Sequence, residues 1–284
     1  MSKVIRLKKG LDIKLNGAAD KVVQTLGNPS RCALKPTDFR ALVPRLAVKV
    51  GDEVKAGDVL FTDKAHPEIK FTSPVSGTVE EIKRGERRKL LEIIVKADPE
   101  TRYHDFGKVE INKLKREEII NRMLEGGVWP MVKQRPYDII ANPATMPKAV
   151  FVSGFDSAPL APDYDFMLNG QEKDLQTGFD CLSKLCNKNV NLNLEAGTPS
   201  ASVFTKLKNV EINYFSGPHP CGNTGIQINH LNPINKGELV WVVNIQDVAI
   251  IGRLFNEGHF DARKIVAVAG SEVNKPLYYR TILG

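Results

Sequence analysis

Val50-Gly51-Asp52-Glu53-Val54-Lys55-Ala56-Gly57-Asp58-Val59-Leu60, then Asp63-Lys64-Ala65, then Ser73-Pro74-Val75-Ser76-Gly77-Thr78-Val79, is the stretch that decides how this chain folds. Gly-Asp at 51–52 and 57–58 and Ser-Gly at 76–77 fall where a reversal needs a positive φ or an Asx-turn. Between and around them stand short runs rich in β-branched and aromatic residues: Val43 to Val50, Val59 to Thr62, Ile69 to Thr72, Gly77 to Ile82 and Leu90 to Val95. Runs of that length cut by turns predict strands, and no helical period interrupts them. Residues 42–95 are therefore expected to form a compact all-β unit. Upstream, residues 10–17 (Gly-Leu-Asp-Ile-Lys-Leu-Asn-Gly) alternate apolar and polar side chains and are expected to add a strand or hairpin to it.

Downstream the period changes. Residues 97–112 read as a polar connector, and Lys113 to Glu125 places Leu114, Ile119, Ile120, Met123 and Leu124 at helical spacing before Gly126-Gly127 stops it. Strands are expected at 150–153, 190–194 and 210–215, with helices at 171–187 and 200–207. A second cycle follows: strand 239–243, helix 245–256, strand 264–269. This alternation predicts an α/β, Rossmann-like domain with a mostly parallel sheet. The division expected is an all-β domain over 1–100, a connector and helix over 101–125, and the α/β domain over 126–284, an α+β multi-domain chain. Ser216 to Gly237 reads as one long irregular segment with five Gly or Pro in its first ten residues, and such loops are usually functional.

The whole chain has 284 residues, net charge +7, 42% hydrophobic and 7% aromatic residues, the composition of an ordinary globular protein. Its start is charged and lacks the apolar run of a secretory signal, so the cytoplasm is the expected compartment. Charge is unevenly spread: residues 1–50 carry eleven Lys/Arg against three Asp/Glu, residues 151–200 three against seven. The basic residues lack aromatic stacking partners, which excludes nucleic acid as the expected partner and leaves an anionic membrane or an acidic protein partner. Cys32, Cys181, Cys186 and Cys221 show no CxxC pair or metal-ligand spacing and are expected to be free thiols, with Cys221 of interest for its glycine-rich loop. No metal site is expected. There is also no nucleophile elbow, HExxH, P-loop or paired carboxylate frame, so no catalytic residue is assigned.

The order GDxVxxGDxL, DKA, SPxxGxV resembles the biotinyl/lipoyl domain family, which implies a barrel-sandwich hybrid and nominates Lys64 as an acylated lysine. The short Phe61-Thr62 spacer and His66-Pro67 argue for a surface lysine instead. A longer set of motifs is similar to the family of A subunits of Na+-translocating NADH:quinone reductases: residues 9–13, 60–64, 69–79, 82–88, Val128-Trp129-Pro130 with Arg135-Pro136-Tyr137, 151–161, 216–220 and 246–252. That resemblance covers essentially the whole chain. It implies a lipoyl-like domain followed by an α/β domain related to the flavin-binding subunit of complex I, in a chain truncated before the family's C-terminal modules. It further implies a peripheral subunit on the cytoplasmic face of the inner membrane, docked on membrane and other subunits of a reductase that uses NADH, flavins, an iron centre and quinone.

No cofactor is expected in this chain. A flavin phosphate needs a glycine turn with close backbone approach, and Gly126-Gly127 run straight into Val128-Trp129-Pro130, bulky and short of one donor. For contact with quinone, apolar walls and one or two donors are required. Trp129, Arg135, Tyr137, Phe215 and His219 are the candidates, His219 as donor and Trp129 or Phe215 as a flat wall. Gln227-Ile228-Asn229-His230 lies where the resemblance implies two further histidines, and Gln and Asn do not relay protons. The alternatives are a lipoyl- or biotin-type carrier protein, the C subunit of an Rnf-type complex, whose iron–sulfur cysteine motifs are not found here, and an isolated flavoenzyme.

Overall fold

The structure is a computed structural model that describes residues 4–284. Nine strands come first: β1 (Val4–Arg6), β2 (Asp20–Thr25), β3 (Arg31–Leu34), β4 (Pro44–Leu46), β5 (Glu53–Val54), β6 (Val59–Asp63), β7 (Lys70–Thr72), β8 (Gly77–Arg84) and β9 (Leu90–Ala97). Helix α1 (Arg116–Glu125) leads into β10 (Lys133–Arg135), β11 (Ile139–Ile140) and β12 (Val150–Ser153). Then follow α2 (Tyr164–Leu168), α3 (Glu172–Cys186), β13 (Val190–Glu195), β14 (Val210–Ser216), α4 (Thr224–Leu231), β15 (Val240–Val242), α5 (Ile245–Glu257), β16 (Arg263–Val268) and β17 (Leu277–Ile282).

The all-β unit consists of two sheets, β3-β9-β8-β5 and β4-β6-β7. The turn residues act as the sequence requires. Gly51 and Gly57 take φ +93° and +100°, while Asp52 and Asp58 carboxylates accept from the Lys49 and Lys55 N–H at 3.0 and 2.7 Å. Leu60, Phe61, Val79 and Ile93 are fully buried, each contributing on the order of 1.5–3 kcal/mol. Phe61 stacks on Phe71 with centroids 4.4 Å apart. At Gly77 a Cβ would stand 2.0 Å from the Lys96 carbonyl, so the approach of β8 to β9 admits glycine alone.

The α/β unit has a seven-stranded sheet in the order β1-β14-β13-β12-β15-β10-β11. From β1 to β15 the pairs are parallel, and β10 and β11 add antiparallel strands at one edge. From β12 the chain goes outward through β13 and β14 on one side, then returns to place β15 on the other. Such a reversal opens a crevice at the carboxyl ends of the strands. Helix α3 runs where 171–187 is expected, closed by Asn187 in the left-handed region.

Several expectations are corrected. Residues 10–17 form no strand, and Leu11, Ile13 and Leu15 are 70%, 56% and 55% exposed. They are instead a strap, held by the Leu11 N–H on His219 O (3.0 Å) and the Gly270 N–H on Gly17 O (2.9 Å). No helix forms at 200–207, because the Ser202 and Thr205 hydroxyls bond Asp165, Ser200 O and Ser202 O and favour turns. The segment 216–237 is not irregular throughout, since it contains α4. Val43 to Val50 yields only the short β4. The first strand, β1, pairs with β14 of the α/β sheet, and β2 pairs with β17 in a third sheet, β16-β17-β2. The chain thus begins in one unit, builds the other, and returns.

Candidate functional site

Two cavities meet at Lys133. The larger, about 650 Å³, lies in the crevice where the strand order reverses. Ser153 and Val242 bring the ends of β12 and β15 to it, and Asn223 to Ile226 and Asn244 bring the starts of α4 and α5. Its carboxylates are already engaged. Asp247 holds Lys264 at 2.9 Å, Asp138 faces Arg135 at 3.4 Å, and Asp156 accepts the Ala158 N–H at 2.8 Å. The Lys133 ammonium makes no hydrogen bond or ion pair among the described residues. Burial pushes its ammonium below the usual lysine range, with Asp138 and Asp247 opposing the shift only in part.

The smaller cavity, about 230 Å³, is an apolar cleft between the all-β unit and the α/β unit. Phe39, Phe71 and Pro74 come from one side, Pro130, Met131 and Phe260 from the other. Lys133 Nζ stands 4.9 Å from the Phe39 ring centroid, a cation–π contact in place of a counter-ion. Thr72, 5% exposed, lines the same cleft, and its Oγ1 has no hydrogen-bond partner. Both belong to the lining of the apolar cleft: the desolvated Lys133 ammonium is a donor for an acceptor-bearing ligand, and the unmet Thr72 hydroxyl, which lies against Gly127, becomes a second once its side chain turns. Met131, Lys133 and Asp247 line both cavities and form the wall that the apolar cleft and the polar crevice share.

The sequence-nominated residues are not brought together. Trp129 is fully buried, donates its indole N–H to Ala141 O at 2.8 Å and packs edge-on to Trp241, so it is core and presents no wall. Phe215 is likewise fully buried, in a separate cluster with Leu7 and Cys221. Arg135 lines the polar crevice, and Tyr137 is 70% exposed outside both cavities. His219 lines neither cavity. Its Nδ1 lies 3.0 Å from Ser157 Oγ, and its backbone N–H donates to Asp12 at 2.8 Å, which makes it the clamp between the N-terminal strap and the 153–158 loop. Gln227 is buried in an amide network, accepting from Asn193 at 2.8 Å and donating to Ser153 Oγ at 3.0 Å.

Gly126 and Gly127 serve packing. A Cβ would meet Leu254 at 2.4 Å from the first and Thr72 Oγ1 at 2.1 Å from the second, so both positions are filled by protein and leave no cradle for a phosphate. All four cysteines are free and buried, and burial raises each thiol, Cys32 to about 11. Lys64 is exposed in the β6–β7 connection, its N–H tied to Val43 O at 2.8 Å. Thr72, Met131 and Lys133 escape sequence reading, because a threonine, a methionine and a lysine in strand-like text carry no pattern until two domains close on them.

Residues 5–98 match the family described as the NqrA N-terminal barrel-sandwich hybrid domain, and residues 114–260 match the NqrA second alpha/beta domain. Curated relatives, each named as the A subunit of a Na(+)-translocating NADH-quinone reductase, share 35% identity in Yersinia pseudotuberculosis, 36% in Hahella chejuensis and 36% in Vibrio vulnificus. In each case the alignment covers 99% of this chain and 63% of the relative. Among solved structures, an NAD+-reducing [NiFe]-hydrogenase superposes with TM-score 0.41 at 12% identity, covering 64% of this chain and 42% of that one, too distant to argue from. Two consecutive matches, one of them over half the chain, place this barrel-sandwich hybrid and α/β pair in the NqrA family.

Proposed function

We propose that this chain is a peripheral subunit of a Na+-translocating NADH:quinone reductase, seated on the cytoplasmic side of the membrane, that contributes to quinone contact and complex assembly and carries no redox centre of its own. The observation that carries the reading is the apolar cleft between the two units, with the unpartnered Thr72 hydroxyl and the unpaired Lys133 ammonium at its wall. A cavity of roughly 150 Å³ already admits benzene, so about 230 Å³ suits a substituted ring. Phe39, Phe71 and Met131 supply flat or adaptable apolar contact, Lys133 supplies a donor to one quinone carbonyl oxygen, and Thr72 supplies a second once its side chain turns from Gly127. Arg135, in the adjoining crevice, is the sequence-nominated residue that stays in this site. Trp129 supports the cleft from behind through Pro130 and Met131. No helix among the described residues is long and apolar enough to cross a membrane; in this reading ion and electron transport belong to other subunits.

Calorimetric titration of the chain with a short-chain, water-soluble quinone tests it. The account expects saturable binding, weakened roughly tenfold in Lys133→Met, about the worth of one charged hydrogen bond. Unchanged affinity in that variant would remove the cleft from the reading, and no binding to the folded chain would leave only the assembly role.

A further inference from the structure

A third cavity, about 610 Å³, runs between residues 36–46 and the β8–β9 turn at residues 84–90. Its walls are Phe39, Leu42, Val43 and Leu90, with Val43 54% exposed. Four cations rim it, Arg40, Arg84, Arg88 and Lys89, and its lining contains no carboxylate. None of the four has an ion-pair partner among the described residues, although Lys83, beside them, is paired with Glu92 at 3.0 Å. Two guanidinium groups are held in place by a single backbone bond each: Arg40 to Tyr137 O at 3.3 Å and Arg84 to Arg88 O at 3.1 Å. Their other donors remain free. The backbone around the groove is strained, with Ala41, Arg87 and Arg88 at φ 61°, 52° and 60°, a region that non-glycine residues avoid.

One side of the groove is β4, which has β6 as its only neighbour in the sheet. At that free edge Pro44 brings no N–H, so Leu46 is the backbone donor and the carbonyls are the acceptors that another extended chain matches. We propose that this groove binds an extended, acidic segment of a partner protein, laid along β4, with its carboxylates on the four cations and its alternate apolar side chains against Leu42, Val43 and Leu90. Charge complementarity sets the partner's sign. Concavity sets its shape, because a cleft of about 610 Å³ is filled by an extended chain and not by a flat surface. Phe39 is the one aromatic ring in the groove's lining, so successive bases find no series of stacking platforms. The inference is independent of the quinone reading.

Fluorescence anisotropy with a labelled peptide of about ten residues, the length of a long strand, alternating Glu with Val or Ile, tests the proposal on the full chain. Saturable binding is expected, weakened roughly tenfold in Arg84→Glu/Arg88→Glu and again in Arg40→Glu, and weakened by raising salt, as exposed charge pairs require. These positions are exposed, so the variants keep the fold. A peptide with alternate N-methylated amides is expected to lose affinity. The proposal is overturned by no saturable binding, by equal binding of the charge-reversed protein, by equal binding of a Lys-for-Glu peptide, by indifference to N-methylation, or by sedimentation with phosphatidylserine vesicles while the peptide fails to bind.

Discussion

A hydroxyl buried at position 72 without a partner forgoes hydrogen bonds it had in water, which costs about 1–3 kcal/mol. Valine has nearly the same shape. Thr72→Val is therefore expected to raise stability by about 1 kcal/mol in urea unfolding while lowering quinone affinity, the opposed pair of effects that a binding position shows and a packing position does not. Asp261 makes the contrasting case. It is 1% exposed; burial alone would raise its carboxyl, but the Arg263 fork at 2.6 Å and Arg253 at 3.3 Å hold it below the usual range. Since its folded-state value is depressed, its contribution is complete above the ordinary carboxylate range, near pH 4, and fades as pH falls through the lowered value. Asp261→Ala, which strands the buried Arg253, should cost about 3 kcal/mol at neutral pH, and the gap to the parent should narrow in acid. A pH-independent gap would contradict the ion-pair account.

Elements were legible where one period dominates. Helix α3 carries Leu175, Phe179, Leu182 and Leu185 on one buried face, and that spacing needs no tertiary help. The turns of the all-β unit were equally legible, because Gly51 and Gly57 take the positive φ that their position demands. Residues 10–17 misled: their alternation matches a strand, but no neighbouring edge receives it and the apolar side chains stay exposed. Residues 200–207 misled in the opposite way, through hydroxyls that compete for the backbone. The contact between α3 and α5 depends on glycine. A Cβ at Gly252 would lie 1.8 Å from Asp174 O, and one at Gly178 2.1 Å from Val248 O. Gly252→Ala is expected to force the helices apart and cost about 3 kcal/mol, read as a lowered denaturation midpoint. Retained stability would mean that the pair is looser than described.

At the scale of the molecule, the candidate site belongs to neither unit alone. Thr72 and Phe39 belong to the all-β unit, Met131 and Lys133 to the α/β unit, and the cleft exists only where the two pack. Sequence reading nominated residues 129–137 and chose Trp129 for its ring, whereas the fold spends that ring on the core. Phe215 and His219 lie elsewhere for the same reason, since the burial of Phe215 and the His219 contact with Ser157 appear only once β1 and β13 flank β14 and the loop after β12 meets the loop after β14. The chain has five methionines, and Met131 lines both cavities, whereas Met123 and Met167 are buried and Met146 is 54% exposed. The central claim is therefore tested most directly by labelling the methionine methyl groups with carbon-13 and following them by NMR as a short-chain quinone is added. The account predicts a saturable shift of the Met131 methyl with Met123, Met146 and Met167 unmoved; a Met131 signal unchanged at saturating quinone, or a shift confined to exposed Met146, would contradict it.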